Sequence, residues 1–161
     1  MKKWIVIIAF LGVFIDQISK FLVTYYMGVG DYFVVIRDFF LLRYIRNTGA
    51  AWGFFSNGTM FLIIISLIFL YFLIKYVTEE RHFTKFSVLS YGLVFGGLIG
   101  NLIDRLFRGY VVDFFSFNIF GYDFPIFNVA DIFIVVGVFL IFVESFFGGD
   151  YSDSGRRKNK D

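Results

Sequence analysis

Long apolar runs separated by short polar segments dominate the hydropathy pattern of this chain. Each run is about as long as the roughly 20 residues that an α-helix needs to cross a membrane core of about 30 Å. The pattern predicts four membrane-spanning helices, over residues 4–26, 60–77, 86–103 and 128–147. Composition agrees with this interpretation, because 58% of the 161 residues are hydrophobic and the mean hydropathy is +0.76.

The segments outside these helices predict a single membrane domain, residues 1–147, followed by a disordered cytoplasmic tail, residues 148–161. The first connection, residues 27–59, is long and rich in β-branched and aromatic residues between positions 32 and 45. That composition favours short strands over an irregular loop. The predicted fold is therefore an all-α membrane protein of four transmembrane helices with a small extracytoplasmic β-rich cradle.

Lysine and arginine residues are distributed unequally between the two sides of the predicted bundle. Nine flank the helices on the side that holds both termini, and five lie on the other side. Because positively charged flanks favour the cytoplasmic side, both termini are predicted to be cytoplasmic. The formal net charge of +2 is too small to favour nucleic-acid binding. The N-terminal apolar run continues past Asp16 without a clean cleavage site, which predicts an uncleaved first span.

Five carboxylates lie in or against the predicted spans, namely Asp16, Asp104, Asp113, Asp131 and Glu144. An Asp at the centre of a spanning helix costs about 2.5–3.5 kcal/mol on insertion scales, so such residues are candidates for function. The chain has no Cys, and its only His, His82, lies in a predicted cytoplasmic link. Thiol chemistry, Cys-based metal sites and His-dependent triads are therefore excluded. The candidate chemistry rests on the aspartates and needs no metal or cofactor.

Two polar pairs mark the ends of the third and fourth predicted helices. Asn101 and Asp104 lie near the end of the third, and Asn128 and Asp131 open the fourth, each pair on one helix face. Asp113 lies in a β-like stretch between these helices, so we expect it to meet Asp131. Two close carboxylates share one proton: the ionised member can activate a water, and the protonated member can polarise a scissile carbonyl. Helix capping and interfacial ion pairs are the alternative explanation.

Two further patterns concern helix packing. Asp16 and Lys20 are four residues apart, which favours mutual neutralisation inside the first helix, with a substrate-lining role as the second interpretation. Gly92, Gly96 and Gly100 form overlapping small-xxx-small pairs, which predict close approach of neighbouring helices.

Five ordered motifs resemble those of the lipoprotein signal peptidases, also called signal peptidase II, and together they extend over nearly the whole chain. They are Asp16-Gln-Ile-Ser-Lys20, Asn47-Thr-Gly49-Ala-Ala-Trp-Gly53, Gly100-Asn101-Leu-Ile-Asp104-Arg105, Val111-Val-Asp113-Phe114 and Phe127-Asn128-Val-Ala130-Asp131. The resemblance implies an aspartic-type membrane peptidase that removes signal peptides from diacylglyceryl-modified prolipoproteins just before the lipidated Cys. It also implies that Asp113 and Asp131 are the catalytic residues.

The same resemblance implies a set of substrate-binding and supporting residues. These are Asp16, Lys20, Asn47, Gly49, Asn101, Asp104, Arg105 and Asn128. The implied partners are the prolipoproteins and membrane lipids, and the implied enzyme is a monomer in the bacterial cytoplasmic membrane with its active site near the outer face. Ile132 departs from the family pattern, in which a small or hydroxylated residue is expected after the second catalytic Asp.

Two other classes remain open on the sequence. A small proton- or ion-coupled transporter would also use intramembrane carboxylates, although the aspartates cluster near one interface and no internal repeat is evident. A structural or assembly subunit would use the Gly-rich third helix and the aromatic first connection as a docking surface.

Overall fold

A computed structural model of the chain describes residues 1–49, 58–80 and 82–147. The helices in these ranges are α1 (Lys2–Tyr26), α2 (Thr59–Glu79), α3 (Lys85–Arg108) and α4 (Val129–Phe147). The strands are β1 (Tyr32–Ile36), β2 (Phe40–Asn47), β3 (Val111–Ile119) and β4 (Tyr122–Asp123). Part of the second motif, residues 50–53, and the tail predicted for residues 148–161 lie outside the described residues.

All four helices are long and apolar enough to cross a membrane. Together with the small antiparallel sheet, they confirm the predicted fold class. The most buried of the four is α3, which packs against α1, α2 and α4. Most of the exposed side chains on α1, α2 and α4 are large and apolar, as expected of surfaces that face lipid.

The third helix runs about one turn further than the sequence pattern predicted. It ends at Arg108, and Gly109 follows as a left-handed cap with φ of +79°, donating its N–H to the Arg105 carbonyl. Glycine adopts this conformation at little cost, and arginines in a last turn stabilise the negative end of the helix dipole. Asn101, Asp104 and Arg105 therefore lie within α3 and not at its end.

Glycines of α3 contact helices on two sides. A Cβ added at Gly92 would lie 2.6 Å from Ile8 of α1, and one at Gly96 would lie 3.1 Å from the Ala9 carbonyl oxygen. Gly97 faces α4, where an added Cβ would lie 2.7 Å from Cγ1 of Ile134. The predicted close packing is present, and it joins α3 to both α1 and α4.

The strands form one antiparallel sheet in the order β1-β2-β3-β4. The sheet joins the two connections that leave the same end of the bundle, here called the sheet end, where α1 and α3 finish and α4 begins. Ile45 of β2 pairs with Asp113 of β3. Tyr44, Val112 and Phe114 form a small apolar core between the sheet and the helices. The predicted cradle therefore also includes the strand that carries Asp113.

The start of α3, at the other end of the bundle, is closed by a capping box. Thr84 Oγ1 accepts the Ser87 N–H at 3.0 Å, and Ser87 Oγ accepts the Thr84 N–H at 3.1 Å. Both hydroxyls also donate to Glu144 of α4. Glu144, to which no role was assigned from the sequence, therefore ties α4 to the first turn of α3.

Replacing Thr84 with Ala is expected to lower the free energy of unfolding by about 1 kcal/mol, because the cap and one partner of Glu144 are both lost. The measurement is the thermal unfolding of the detergent-solubilised variant. Thr78→Ala is the matched control, since the Thr78 hydroxyl donates only to the Lys75 carbonyl within its own helix. Equal melting temperatures for the two variants would contradict the capping role of Thr84.

Candidate active site

Backbone pairing brings Asp113 to the start of α4. The N–H groups of Phe114 and Phe115 donate to the Phe127 carbonyl at 3.0 and 2.8 Å, and the Phe127 N–H donates back to Phe115 at 3.1 Å. These hydrogen bonds place β3 beside Phe127, the residue that precedes Asn128. Asp113 and Asp131 therefore approach each other at the sheet end, as predicted.

Asp131 and Asn128 form a reciprocal cap at the start of α4. The Asp131 N–H donates to Asn128 Oδ1 at 3.0 Å, and the Asn128 N–H donates to Asp131 Oδ2 at 3.1 Å. The capping role considered as an alternative is thus present, but it uses only one carboxylate oxygen. The other, Oδ1, accepts a hydrogen bond from Asn101 Nδ2 at 2.8 Å.

Asp113 is 2% exposed and accepts two amide hydrogen bonds. Asn47 Nδ2 donates to its Oδ2 at 2.8 Å, and Asn128 Nδ2 donates to its Oδ1 at 2.6 Å. Burial and the negative charge of Asp131 raise the pKa of Asp113 to about 7, although the two amides act in the opposite direction. At neutral pH Asp113 therefore holds a proton far more readily than an exposed aspartate does.

Two asparagines link the aspartates through amide hydrogen bonds. Asn128 Nδ2 donates to Asp113 and also to Asn101 Oδ1 at 3.1 Å, while Asn101 donates onward to Asp131. Gly49 fixes the orientation of the Asn47 side-chain amide. The Gly49 N–H donates to Asn47 Oδ1 at 2.9 Å, which leaves the Asn47 amino group directed at Asp113. Every predicted asparagine of the site therefore contacts one or both aspartates.

A cavity of about 530 Å³ opens from the two aspartates. Among the described residues, its polar side chains are Asn47, Asn101, Arg105, Asp113 and Asp131. Ile132, Val135 and Val136 supply part of an apolar wall, and all three are exposed on the outside of α4. Arg105 lines the cavity without an ion pair to any carboxylate of the described residues. The site thus joins a polar end to an apolar side that faces lipid.

A buried ion cluster lies next to this polar end. Lys20 Nζ is 2.9 Å from Asp16 Oδ2 and 3.1 Å from Asp104 Oδ2, and it donates to Asn101 Oδ1 at 2.9 Å. The predicted ion pair of Asp16 and Lys20 is present. The contacts of Lys20 with Asp104 and Asn101 were not anticipated, because spacing along one helix carries no signal for a partner on another helix.

Within the described ranges, no group of three or more acidic, His or Cys side chains is arranged to hold a metal ion. The polar side chains of the cavity are instead carboxyl, amide and guanidinium groups. This set can exchange a proton and donate hydrogen bonds to a polarised carbonyl or a peptide backbone.

The four spanning helices and a lipid-facing cavity that ends in two aspartates define an integral membrane protein with an enzyme-like acidic site. The family model described as signal peptidase (SPase) II matches residues 8–147. The chain therefore belongs to the signal peptidase II family, and it is a multi-pass bacterial membrane peptidase. This membership decides against the transporter and the docking subunit that the sequence left open.

Individual relatives agree with the family match. A lipoprotein signal peptidase of Staphylococcus aureus is 39% identical over 156 residues, which cover 97% of this chain and 93% of the relative. A lipoprotein signal peptidase of Staphylococcus aureus strain JH9 is 42% identical over 138 residues, 86% of this chain and 85% of the relative. A bacterial membrane enzyme solved by the in meso method at 2.3 Å is 39% identical, with a TM-score of 0.80 over 98% of this chain and 93% of that chain.

Proposed function

We propose that this protein is an aspartic endopeptidase that cleaves diacylglyceryl-modified prolipoproteins just before the lipidated Cys, with Asp113 and Asp131 as its catalytic pair. One observation carries the proposal: the two aspartates lie together at the polar end of a cavity whose apolar side faces lipid. Membership of the signal peptidase II family and the names of the relatives support the substrate class.

In the proposed reaction, Asp113 carries the proton and Asp131 is the base. Asp131 removes a proton from a water molecule as the water oxygen attacks the scissile carbonyl carbon, while the protonated Asp113 donates a hydrogen bond to the carbonyl oxygen. The tetrahedral intermediate collapses as Asp131 returns this proton to the leaving nitrogen and the C–N bond breaks, which leaves Asp131 ionised and Asp113 protonated as at the start. The products are a signal peptide with a new carboxyl terminus and a lipoprotein with a free amino group on its lipidated Cys.

The apolar wall suits the lipid part of the substrate. Ile132, Val135 and Val136 border the cavity on the side that faces lipid, so diacylglyceryl chains can remain in the bilayer while the peptide enters. Ile132, which departs from the family pattern, adds apolar surface beside Asp131. Arg105 and Asn47 can donate hydrogen bonds to the carbonyl groups of the bound peptide.

The distribution of lysine and arginine residues supports a location of the active site at the outer face of the membrane. With both termini in the cytoplasm, as the lysine and arginine distribution favours, the sheet end lies at the outer face of the membrane. All members of the proposed site come from one chain, which suits a monomeric enzyme.

The deciding experiment incubates the purified, detergent-solubilised protein with a diacylglyceryl-modified prolipoprotein and, in parallel, with the same precursor lacking the lipid. Mass spectrometry of the products locates the cut. We expect cleavage before the modified Cys and at least a tenfold slower reaction of the unlipidated precursor. Absence of cleavage by folded protein would reject the proposal, as would equal cleavage of both precursors.

The pH dependence of kcat/KM tests the assignment of the proton. Activity is expected to fall as the pH rises through about 7, because Asp113 then loses the proton with which it polarises the carbonyl. Asn47→Ala removes a hydrogen bond that stabilises ionised Asp113 and so raises its pKa. The alkaline limb of this variant should therefore move to higher pH.

Asn118→Ala is the control for this shift. Asn118 lies at the far end of β3 and donates to Asp123, away from Asp113. Its alkaline limb should coincide with that of the wild type. Two results would contradict the assignment of the proton to Asp113. One is wild-type activity that rises above pH 7, and the other is an alkaline limb of the pH profile that Asn47→Ala does not shift.

A further inference from the structure

We infer that Asp16, Lys20 and Asp104 are positioning residues that hold the backbones of the two catalytic aspartates at a set separation. The inference rests on the proposed function, because it takes Asp113 and Asp131 as the catalytic pair.

Each acidic member of the cluster holds the residue immediately before one catalytic aspartate. Asp16 Oδ1 accepts the N–H of Ala130, which precedes Asp131, at 3.0 Å. Asp104 Oδ2 accepts the N–H of Val112, which precedes Asp113, at 3.1 Å. The two carboxylates thus act on equivalent points of the two catalytic segments.

Water has no access to either backbone group. Ala130 and Val112 are both 0% exposed, so water cannot replace a lost acceptor. Ala130 also lies in the first turn of α4, where backbone N–H groups have no acceptor within the helix. A shift of either carboxylate would therefore leave a buried N–H unpaired or move the segment with it.

Lys20 joins the two carboxylates. An ammonium group has three donors and no acceptor. The contacts of Lys20 Nζ match that number: Asp16 Oδ2 at 2.9 Å, Asp104 Oδ2 at 3.1 Å and Asn101 Oδ1 at 2.9 Å. Because its side chain is fully buried, no water competes for these donors. One side chain on α1 thereby links the supports of Asp131 and Asp113.

Lys20 also determines how Asn101 faces Asp131. Since the ammonium can only donate, the Asn101 oxygen must point toward Lys20, and the amino group is left to donate to Asp131 Oδ1 at 2.8 Å. The reverse orientation would place an amide oxygen against a carboxylate oxygen and an amino group against the ammonium. Lys20 therefore sets both the separation of Asp113 and Asp131 and the hydrogen bond that Asp131 accepts from Asn101.

Charge neutralisation alone does not require this arrangement. Asp16 and Lys20 would already be neutral as a pair within α1, and Asp104 has a second cationic partner, Arg108, at 3.0 Å. Buried ion clusters are often no more stabilising than apolar side chains of similar volume. The backbone bonds to Ala130 and Val112 are what the cluster adds, and both lead to the catalytic residues.

The test measures kcat, KM and melting temperature for Lys20→Met and Asp16→Asn, using folded, monodisperse protein and a lipidated precursor. We expect kcat to fall about 100-fold in Lys20→Met and about tenfold in Asp16→Asn, since small displacements of reacting groups have effects of this size. KM should change less than about twofold, because the apolar wall that binds the lipid is untouched.

Ile5→Ala is the matched control, because Ile5 is buried on the same helix at the opposite end of the bundle. It should lower the melting temperature and leave kcat per folded molecule unchanged. Wild-type kcat in folded Lys20→Met would overturn the inference. If that variant does not fold, wild-type kcat in Asp16→Asn would overturn it instead.

Failure of the inference differs from failure of the proposed function. Without the proposed function, the wild type would not cleave, or Asp113→Asn would remain active. The inference alone fails when Asp113→Asn is inactive and the cluster variants turn over normally.

Discussion

Asp113→Asn and Asp131→Asn are each expected to lower kcat for the lipidated precursor by about 10⁴-fold, the upper range for loss of a positioned acid or base. Asparagine keeps the size of the side chain but can neither take a proton from water nor hold the shared proton. In Asp113→Asn, one of the bonds from Asn47 and Asn128 also loses its acceptor. The measurement is single-turnover cleavage by protein whose melting temperature shows that it is folded.

Asp38→Asn is the matched control for the dyad variants. Asp38 lies in the exposed turn between β1 and β2 with φ of +59°, a conformation that asparagine adopts readily. This variant should cleave at the wild-type rate. Cleavage that survives either dyad substitution would remove that aspartate from the mechanism and direct attention to Asp16 and Asp104.

Gly97→Ala is expected to be the most damaging single-methyl change in the bundle. Its Cβ would lie 2.7 Å from Ile134 Cγ1 and closer still to the backbone carbonyl oxygen of Ala130. Ile134 can change its rotamer, but the carbonyl can move only with the first turn of α4. We expect a loss of about 1–3 kcal/mol in unfolding free energy, the usual cost of an overpacked contact. A loss of kcat should accompany it, because Asp131 follows Ala130.

Gly12→Ala provides the comparison for this prediction. An added Cβ at Gly12 would lie 3.4 Å from the Gly96 Cα and 3.5 Å from the Phe133 ring, which are ordinary contacts. Thermal unfolding and kcat of both variants should show that only Gly97→Ala loses stability and activity together. A Gly97→Ala protein with wild-type kcat would show that α4 can shift without disturbing Asp131.

Relations between residues close in the chain were predictable from sequence. The spacing of Asp16 and Lys20 by four, and of Asn128 and Asp131 by three, is enough to place each pair on one helix face, and both pairs are in contact. The spans were predictable for the same reason, since hydrophobic length is a local property. The end of α3 was not predictable in this way. The last turns of α3 contain polar residues, so the apolar run stops before the helix ends at Arg108.

The sequence by itself thus determined the four spans, the strand-rich cradle and the set of candidate residues at the sheet end. Only the tertiary structure decided which of these residues touch a residue on another helix or strand. Asn47 reaches Asp113 across 66 positions, Lys20 reaches Asn101 across 81, and Asp16 reaches the Ala130 backbone across 114. The physical reason is that periodicity specifies which residues share a face of one element. Contacts between elements depend on how closely α1 and α4 approach the glycines of α3, which no spacing along a single helix records.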